Sequence, residues 1–594
     1  MLDTDAIRAR YAEERDKRVR ADGNDQYIEI AGKFAHYKVD PYVAVAPRDP
    51  VTDHVAFAFI GGGFAGLVTG AKLVEAGVGP VRIVEKGGDF GGTWYWNRYP
   101  GAQCDTASMI YMPLLEETGH MPSEKYAHAP EILEHSRRIA RQFGLYDHAL
   151  LHTEVTHLAW EDEASVWRIT TNRGDSFTAD FVGLGTGPLH VAKLPGIPGI
   201  ETFKGHSFHT SRWDYAYTGG TPEGAPMDKL ADKKVAIIGT GATSVQAVPH
   251  LARDAGELFV FQRTPSSVDV RANAPIDPDW FAGISGPGWQ TEWLENFCAF
   301  QSSLILPEQD LVSDGWTDLS KRLRSRVADV PRETLTPAIM LEAFEAADHE
   351  KMSEIRARAD AIVEDPETAD KLKAWYRQLC KRPCFHDEFL QAFNSPNTHL
   401  IDTDGKGVDR ITERGLVVGG KEYPVDCVIY ASGFEVGTSY ERRSGFDVEG
   451  RDGVLLSDRW GDGMKSLHGI HVHGFPNLFI VHPAQGANLI SNVPHNLVDS
   501  GKTIARIVAH ARETDTKTVE VTADAEAQWL ALLATGMGMI IGNTDCTPGY
   551  YNNEGKGWED GPALGTGYPL GAFAYFKYID EWRNNGKFEG LAFG

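Results

Sequence analysis

The chain has 594 residues and a formal net charge of −25, which argues against a nucleic-acid partner, because phosphate binding needs clustered Lys and Arg. With 42% hydrophobic and 24% charged residues, it reads as a globular chain long enough for roughly three to four domains. The charged start, MLDTDAIRARYAEERDKR, is not a secretory signal; no apolar run approaches the ~20 residues that span a bilayer, and six scattered cysteines (Cys104, Cys298, Cys380, Cys384, Cys427, Cys546) are expected as free thiols in a reducing cytoplasm.

Residues 1–50 are polar and partly helical in pattern, an N-terminal extension. The wholly apolar run 55–60 predicts a buried parallel strand feeding a helix over 64–76, with a second strand at 81–85. Between them lies Gly61-Gly62-Gly63-Phe64-Ala65-Gly66, and Glu85 follows Gly61 by 24 residues. A carboxylate there accepts hydrogen bonds from a ribose 2′-hydroxyl, and the N–H groups at the helix start point at a pyrophosphate. The grammar repeats at 235–238 and 258–261. There the glycine loop is Gly239-Thr240-Gly241-Ala242-Thr243-Ser244, and Arg263 stands 24 residues after Gly239, followed by Thr264. Arginine at that position suits a 2′-phosphate. Ser244 replaces the third glycine, so a slightly looser helix–strand fit is expected. The pair reads as an FAD site followed by an NADPH site.

From about 275 to 375 the pattern becomes charged and helix-periodic, notably at 341–363 and 369–379, which predicts a helical insertion. Short strands return over 397–433 and end in Cys427-Val428-Ile429-Tyr430-Ala431-Ser432-Gly433-Phe434; a similar closing element occupies 181–187. The predicted architecture is α/β, with two doubly wound Rossmann-like domains. FAD binding is assigned to 51–190 and 432–594, NADPH binding to 195–272 and 376–430, and the insertion to 273–375.

Two further stretches choose the chemistry. One runs Gly91-Gly92-Thr93-Trp94-Tyr95-Trp96-Asn97-Arg98-Tyr99-Pro100-Gly101-Ala102-Gln103-Cys104-Asp105, the other Phe203-Lys204-Gly205-His206-Ser207-Phe208-His209-Thr210-Ser211-Arg212-Trp213-Asp214. Together with the two loops, they resemble the signatures of type I Baeyer–Villiger monooxygenases. The resemblance implies FAD reduced by NADPH, O2 captured as a flavin C4a-peroxide, and a ketone converted to an ester or lactone. It implies Arg382, in Lys381-Arg382-Pro383, as the active-site cation, oriented by Asp105. Lys381 is placed near the nicotinamide nucleotide, and Trp94 and Tyr111 on the flavin. Lys86, Gly92, Thr93, Val155 and Gln246 join the expected cofactor contacts. Phe203, Gly205, His209, Trp213 and Asp214 form a linker that couples NADPH binding to domain movement. The physical case for Arg382 stands beside the resemblance. Arginine stays protonated and cannot quench an oxygen anion by giving up its proton. Two unit charges 4 Å apart at an effective dielectric of about 20 interact by roughly 4 kcal/mol, around a thousandfold in rate. A carboxylate such as Asp105 can hold the guanidinium by a bidentate contact.

Rival readings are an N- or S-oxidising flavin monooxygenase and a non-enzymatic flavin redox sensor. Cys380 and Cys384 at C-x3-C spacing do not read as a redox pair. No metal is expected: His468, His471 and His473 read as solvated strand-edge residues. The run 474–479 reads as a late strand of the FAD domain. Ser432 replaces a usual threonine with little change expected, and His482-Pro483-Ala484-Gln485-Gly486 replaces a G-P-G-S segment of the family. The loop 545–555 reads as either a substrate lid or an ordinary surface loop.

Overall fold

The apolar run before the first glycine loop is the strand His54–Ile60, with Phe57, Ala58 and Phe59 fully buried. Side chains apolar on both faces demand cover on both sides of a sheet, and this strand sits inside one. Its neighbours are Val81–Val84 and Ser176–Leu184, both parallel to it. The sheet continues by antiparallel pairing into Val166–Thr171 and Val155–Glu161, then to Val448–Glu449. Leu478–Ile480 joins the far half of Ser176–Leu184 as a seventh strand. The helices Phe64–Glu75 and Val493–Glu513 pack against one another, and a Cβ at Gly501 would lie 3.4 Å from Thr69 Cα. The computed structural model describes residues 4–302, 307–331, 334–436, 438–482, 484–487, 492–536, 545–556 and 567–594.

The second unit is a five-stranded, wholly parallel sheet in the order Thr398–Asp402, Glu257–Gln262, Lys234–Ile238, Cys427–Tyr430, His206–His209. The mixed α/β architecture with two dinucleotide-type sheets is therefore as expected. Ser432 donates to the Lys193 carbonyl at 2.5 Å, and Lys193 N–H donates to the Gly433 carbonyl, so the connecting segments are stitched together. The insertion carries the helices Pro278–Ile284, Trp289–Ser302, Gly315–Val327, Pro337–Ile362 and Pro366–Lys371. The N-terminal helix Thr4–Asp16 lies against Pro337–Ile362 through the Arg8–Glu345 ion pair, and Tyr27–Ile28 pairs with Leu194–Pro195. None of the described helices is long and apolar enough to cross a membrane.

Three expectations are corrected. The predicted helix over 369–379 stops at Lys371. Beyond it, the Tyr376 hydroxyl donates to the Pro265 carbonyl and accepts from Ser267 N–H, and these tertiary bonds hold the chain out of the helix. The cysteines are not all free: Cys380 and Cys546 form a disulfide across 166 positions, with Cα atoms 5.2 Å apart, whereas Cys104, Cys298, Cys384 and Cys427 are buried thiols. A scan for short spacings is blind to such a pair. His468 and His471 are buried rather than solvated. His468 packs against Trp529 and Trp582, and burial pushes the His471 imidazole down to about 3. Only His473 keeps substantial exposure. No metal-ligand cluster occurs among the described residues.

Candidate active site

A cavity of about 1300 Å³ opens beside the first glycine loop. Gly61, Gly63, Phe64, Ala65 and Glu85 line one end; Lys86 and Val155 line the adjoining wall; Gly92, Thr93, Trp94 and Tyr111 line another. Gly66 does not line it and is needed for packing, because a Cβ there would stand 2.1 Å from the Gly61 carbonyl oxygen. A Cβ on Gly92 would meet Gly63 Cα at 2.6 Å, so these glycines let the loop and the signature segment close into one cradle. Glu85 accepts from Gly62 N–H and Gly87 N–H, both at 2.6 Å, which fixes the carboxylate at the strand end. Burial raises its pKa against these donors. Burial also pushes the Lys86 ammonium down to about 8; it meets His190 Nδ1 at 2.6 Å, where a neutral imidazole accepts its proton bond. The size, the glycine cradle and the anchored carboxylate fit FAD. His482 and Ala484 also line the cavity, while Pro483 of the altered segment lies outside the described residues.

The second glycine loop turns from Lys234–Ile238 into the helix Ala242–Asp254, with Gly239 at φ +114° and Thr243 in the first helical turn. Ser244 is fully buried and donates to the Gly239 carbonyl at 2.6 Å. The hydroxyl thus turns the close approach usually served by glycine into a hydrogen bond. Thr240 donates to the Thr264 carbonyl at 2.7 Å, and a Cβ on Gly241 would meet open space. Gln246 accepts from the Tyr99 hydroxyl at 2.8 Å and donates to the Gln103 carbonyl at 2.9 Å. Its amide therefore ties the second unit to the first signature segment. Arg263 emerges after Glu257–Gln262 and donates to Gln26 Oε1 at 2.5 Å. Lys381 donates to the Pro548 carbonyl at 2.8 Å, and burial pushes its ammonium down to about 8.

Asp105 and Arg382, 277 positions apart, form the expected bidentate pair: Nε to Oδ2 at 3.0 Å and Nη2 to Oδ1 at 2.6 Å. The Asp105 side chain is 12% exposed and that of Arg382 40%, and neither residue lines the cavity beside the first glycine loop. Burial works against the charge, but the Asp105 carboxylate and its hydrogen bonds hold the Arg382 pKa well above the usual value. Tyr111 lines the cavity. Its hydroxyl accepts from the Trp94 indole at 3.1 Å, and its ionisation feels both Asp105 and Arg382. Trp316, from the insertion, donates to the Asp105 backbone carbonyl at 2.7 Å and places its ring 5.1 Å from the Arg382 guanidinium carbon. Sequence reasoning missed Trp316, since nothing in a charged helical insertion marks one indole.

The linker residues lie elsewhere. His209 is fully buried, accepts from Ser211 N–H at 3.2 Å and packs edge-on to Phe434. Burial pushes its imidazole down to about 3. Trp213 is buried against Phe208 and donates to the Thr218 hydroxyl. Asp214 pairs with His206 at 2.9 Å. A Cβ on Gly205 would lie 2.6 Å from the Asp426 carbonyl oxygen and 2.5 Å from the Phe203 ring.

Residues 58–280 match the family model described as pyridine nucleotide-disulphide oxidoreductase. Over 98% of both chains, this chain is 49% identical to neopentalenolactone D synthase of Streptomyces avermitilis. It is 48% identical to a Baeyer–Villiger monooxygenase of Streptomyces coelicolor, over 99% of this chain and 96% of the relative. Among solved structures, polycyclic ketone monooxygenase from the thermophilic fungus Thermothelomyces thermophila superimposes with a TM-score of 0.90 at 38% identity, covering 99% of each chain. OTEMO, solved in complex with FAD and NADP, superimposes with a TM-score of 0.72 at 26% identity, over 92% of this chain and all of that one. Full-length identity at this level, on a chain that brings together both glycine loops, the two signature segments and the Asp105–Arg382 pair, means that this protein belongs to the Baeyer–Villiger monooxygenases.

Proposed function

We propose that this chain converts a bulky cyclic ketone to a lactone at a site centred on Arg382. The balance is ketone, O2, NADPH and a proton in; ester or lactone, water and NADP+ out. The bidentate Arg382–Asp105 contact carries the reading, because it fixes a permanent cation whose side chain remains 40% exposed. When bound, FAD accepts two electrons from NADPH and supplies them to O2.

The protein's own residues do the rest. Arg382 supplies positive charge where oxygen anion character develops and keeps its proton throughout. Asp105 holds the guanidinium plane, and Trp316 covers one face of it. Trp94 and Tyr111, joined by their hydrogen bond, line the flavin cradle. Gly61, Gly63 and Glu85 would hold the FAD adenosine and pyrophosphate, and Gly239, Gly241, Arg263 and Lys381 the NADPH. The division into a discontinuous FAD domain, an NADPH domain and an insertion follows the two sheets and is part of this proposal.

The preference for bulk rests on similarity to a polycyclic ketone monooxygenase and on the 545–556 segment that reaches Lys381. Purified protein incubated with NADPH, air and a panel of small-ring, large-ring, linear and polycyclic ketones tests it. Lactone formed fastest from polycyclic ketones is expected. Only sulfoxide or amine oxide from added sulfides and amines, with no ester, overturns the ketone assignment.

A further inference from the structure

Arg263 is met by two segments remote from it in sequence. Its Nη1 donates to Gln26 Oε1, and its Nη2 lies 3.7 Å from Glu554 Oε2. The Glu554 side chain is only 6% exposed, and Oε2 has no hydrogen-bond partner among the described residues. Buried carboxylate oxygens are normally satisfied, and Arg–carboxylate pairs normally close to hydrogen bonds. Tyr27 lies beside the pair and makes side-chain hydrogen bonds with both Arg263 and Glu554. Lys193 and Lys381 also feel the Glu554 charge. Lys381 is itself held by the same segment, through the Pro548 carbonyl, and Lys193 by Asn24, which donates to Asn553 at 2.6 Å.

The backbone tells the same story. Asn553 and Glu554 both sit in the left-handed region, at φ +51° and +56°. Non-glycine residues adopt it rarely, and two in succession need outside support. Arg263, Lys381 and Lys193 all feel the Glu554 charge, Lys193 after that of Glu435. A phosphate monoester, at about −1.5 to −2 near neutral pH, carries more charge than the single carboxylate it would meet there.

We infer that Glu554 is the resident counter-ion of the 2′-phosphate site and sets its selectivity: it holds Arg263 until a phosphate displaces it. The inference rests on the reading of Arg263 as the 2′-phosphate partner. A phosphate competes with Glu554 for the same donors. The 2′-hydroxyl of NAD+ carries no charge and does not. Glu554 therefore handicaps NADP+ alone. The start of the segment is held independently, by the Cys380–Cys546 disulfide and by Asn552, which donates to the Cys546 carbonyl at 3.0 Å.

Calorimetric titration of the FAD-loaded protein with NADP+ and with NAD+ tests this in native, Glu554→Gln, Glu554→Asp and Arg263→Ala forms. Glu554→Gln is expected to bind NADP+ about tenfold tighter, with NAD+ changed by less than about twofold. Glu554→Asp keeps the charge and should stay near native. Arg263→Ala should weaken NADP+ and spare NAD+. Unchanged or weaker NADP+ binding in Glu554→Gln, with Arg263→Ala behaving as stated, overturns the counter-ion role alone. An equal gain in Glu554→Asp assigns the effect to packing and overturns it too. Equal loss of both dinucleotides in Arg263→Ala overturns the underlying reading of Arg263.

Discussion

Trp316 donates its indole N–H to the backbone carbonyl of Asp105 at 2.7 Å, joining the helical insertion to the residue that holds the Arg382 guanidinium. The same ring lies 5.1 Å from the Arg382 guanidinium carbon. One side chain thus restrains both members of the pair, through a hydrogen bond on one side and a cation–π contact on the other. Trp316→Leu is expected to lower ketone oxygenation by about tenfold, the rate equivalent of losing about 1–2 kcal/mol of positioning. FAD content should be unchanged, and more NADPH should be consumed without product. Trp316→Phe keeps a ring and should recover part of the coupling. Oxygenation unaffected in Trp316→Leu would show that the pair holds itself.

Arg382→Ala removes the fixed cation but touches neither glycine loop. Oxygenation should fall by roughly a thousandfold, while the yellow cofactor and NADPH binding persist. Asp105→Asn should cost less, since the guanidinium survives and only its aim is lost. Single-turnover product analysis separates the two. Ester at near-native rate from Arg382→Ala would remove Arg382 from the mechanism.

The proposed place of Lys381 in the NADPH site predicts a pH dependence of binding with a definite sign. Burial favours its neutral form and brings its ammonium down to about 8, so the charge that meets phosphate is present below that value and lost above it. Affinity for NADPH should therefore fall as pH rises through about 8, and NADH affinity should change much less. In Lys381→Met the NADPH profile should be flat over that range, at a uniformly weaker value. A profile of native steepness in this variant would assign the titration elsewhere.

The Cys380–Cys546 disulfide closes a loop of 166 positions beside Arg382. Peptide mapping without reductant should recover the two cysteines as one linked species, with the other four reacting only after denaturation. Cys546→Ser should cost about 2–4 kcal/mol of stability by freeing the unfolded chain. A lower midpoint of thermal inactivation under native conditions, reproduced by mild reductant on the native protein, is the expected result. Recovery of both cysteines as separate thiols from untreated protein would refute the bond.

Much of the architecture was legible because its signals are local. The apolar runs ahead of Gly61 and Gly239 had to be buried strands, and Glu85 and Arg263 stand at strand ends because the βαβ spacing puts them there. Ser244 shows the limit of such reading: its size was evident, but the hydrogen bond to the Gly239 carbonyl that replaces the glycine contact was not. The 369–379 segment misled for a related reason. Its periodicity is helical, yet Tyr376 finds partners at Pro265 and Ser267, and tertiary bonds outweigh propensity.

The amino-acid order alone determined that two dinucleotide loops of opposite terminal charge share this chain, and the family resemblance added the expectation that Lys381-Arg382 and Asp105 act together. Tertiary structure decided what surrounds them: Trp316 behind the cation, Cys546 bound to Cys380, and Glu554 against Arg263. Motif spacing records contacts within a turn or a βαβ unit. The partners that tune charge and position come from segments hundreds of residues apart, and only burial and folding bring them together.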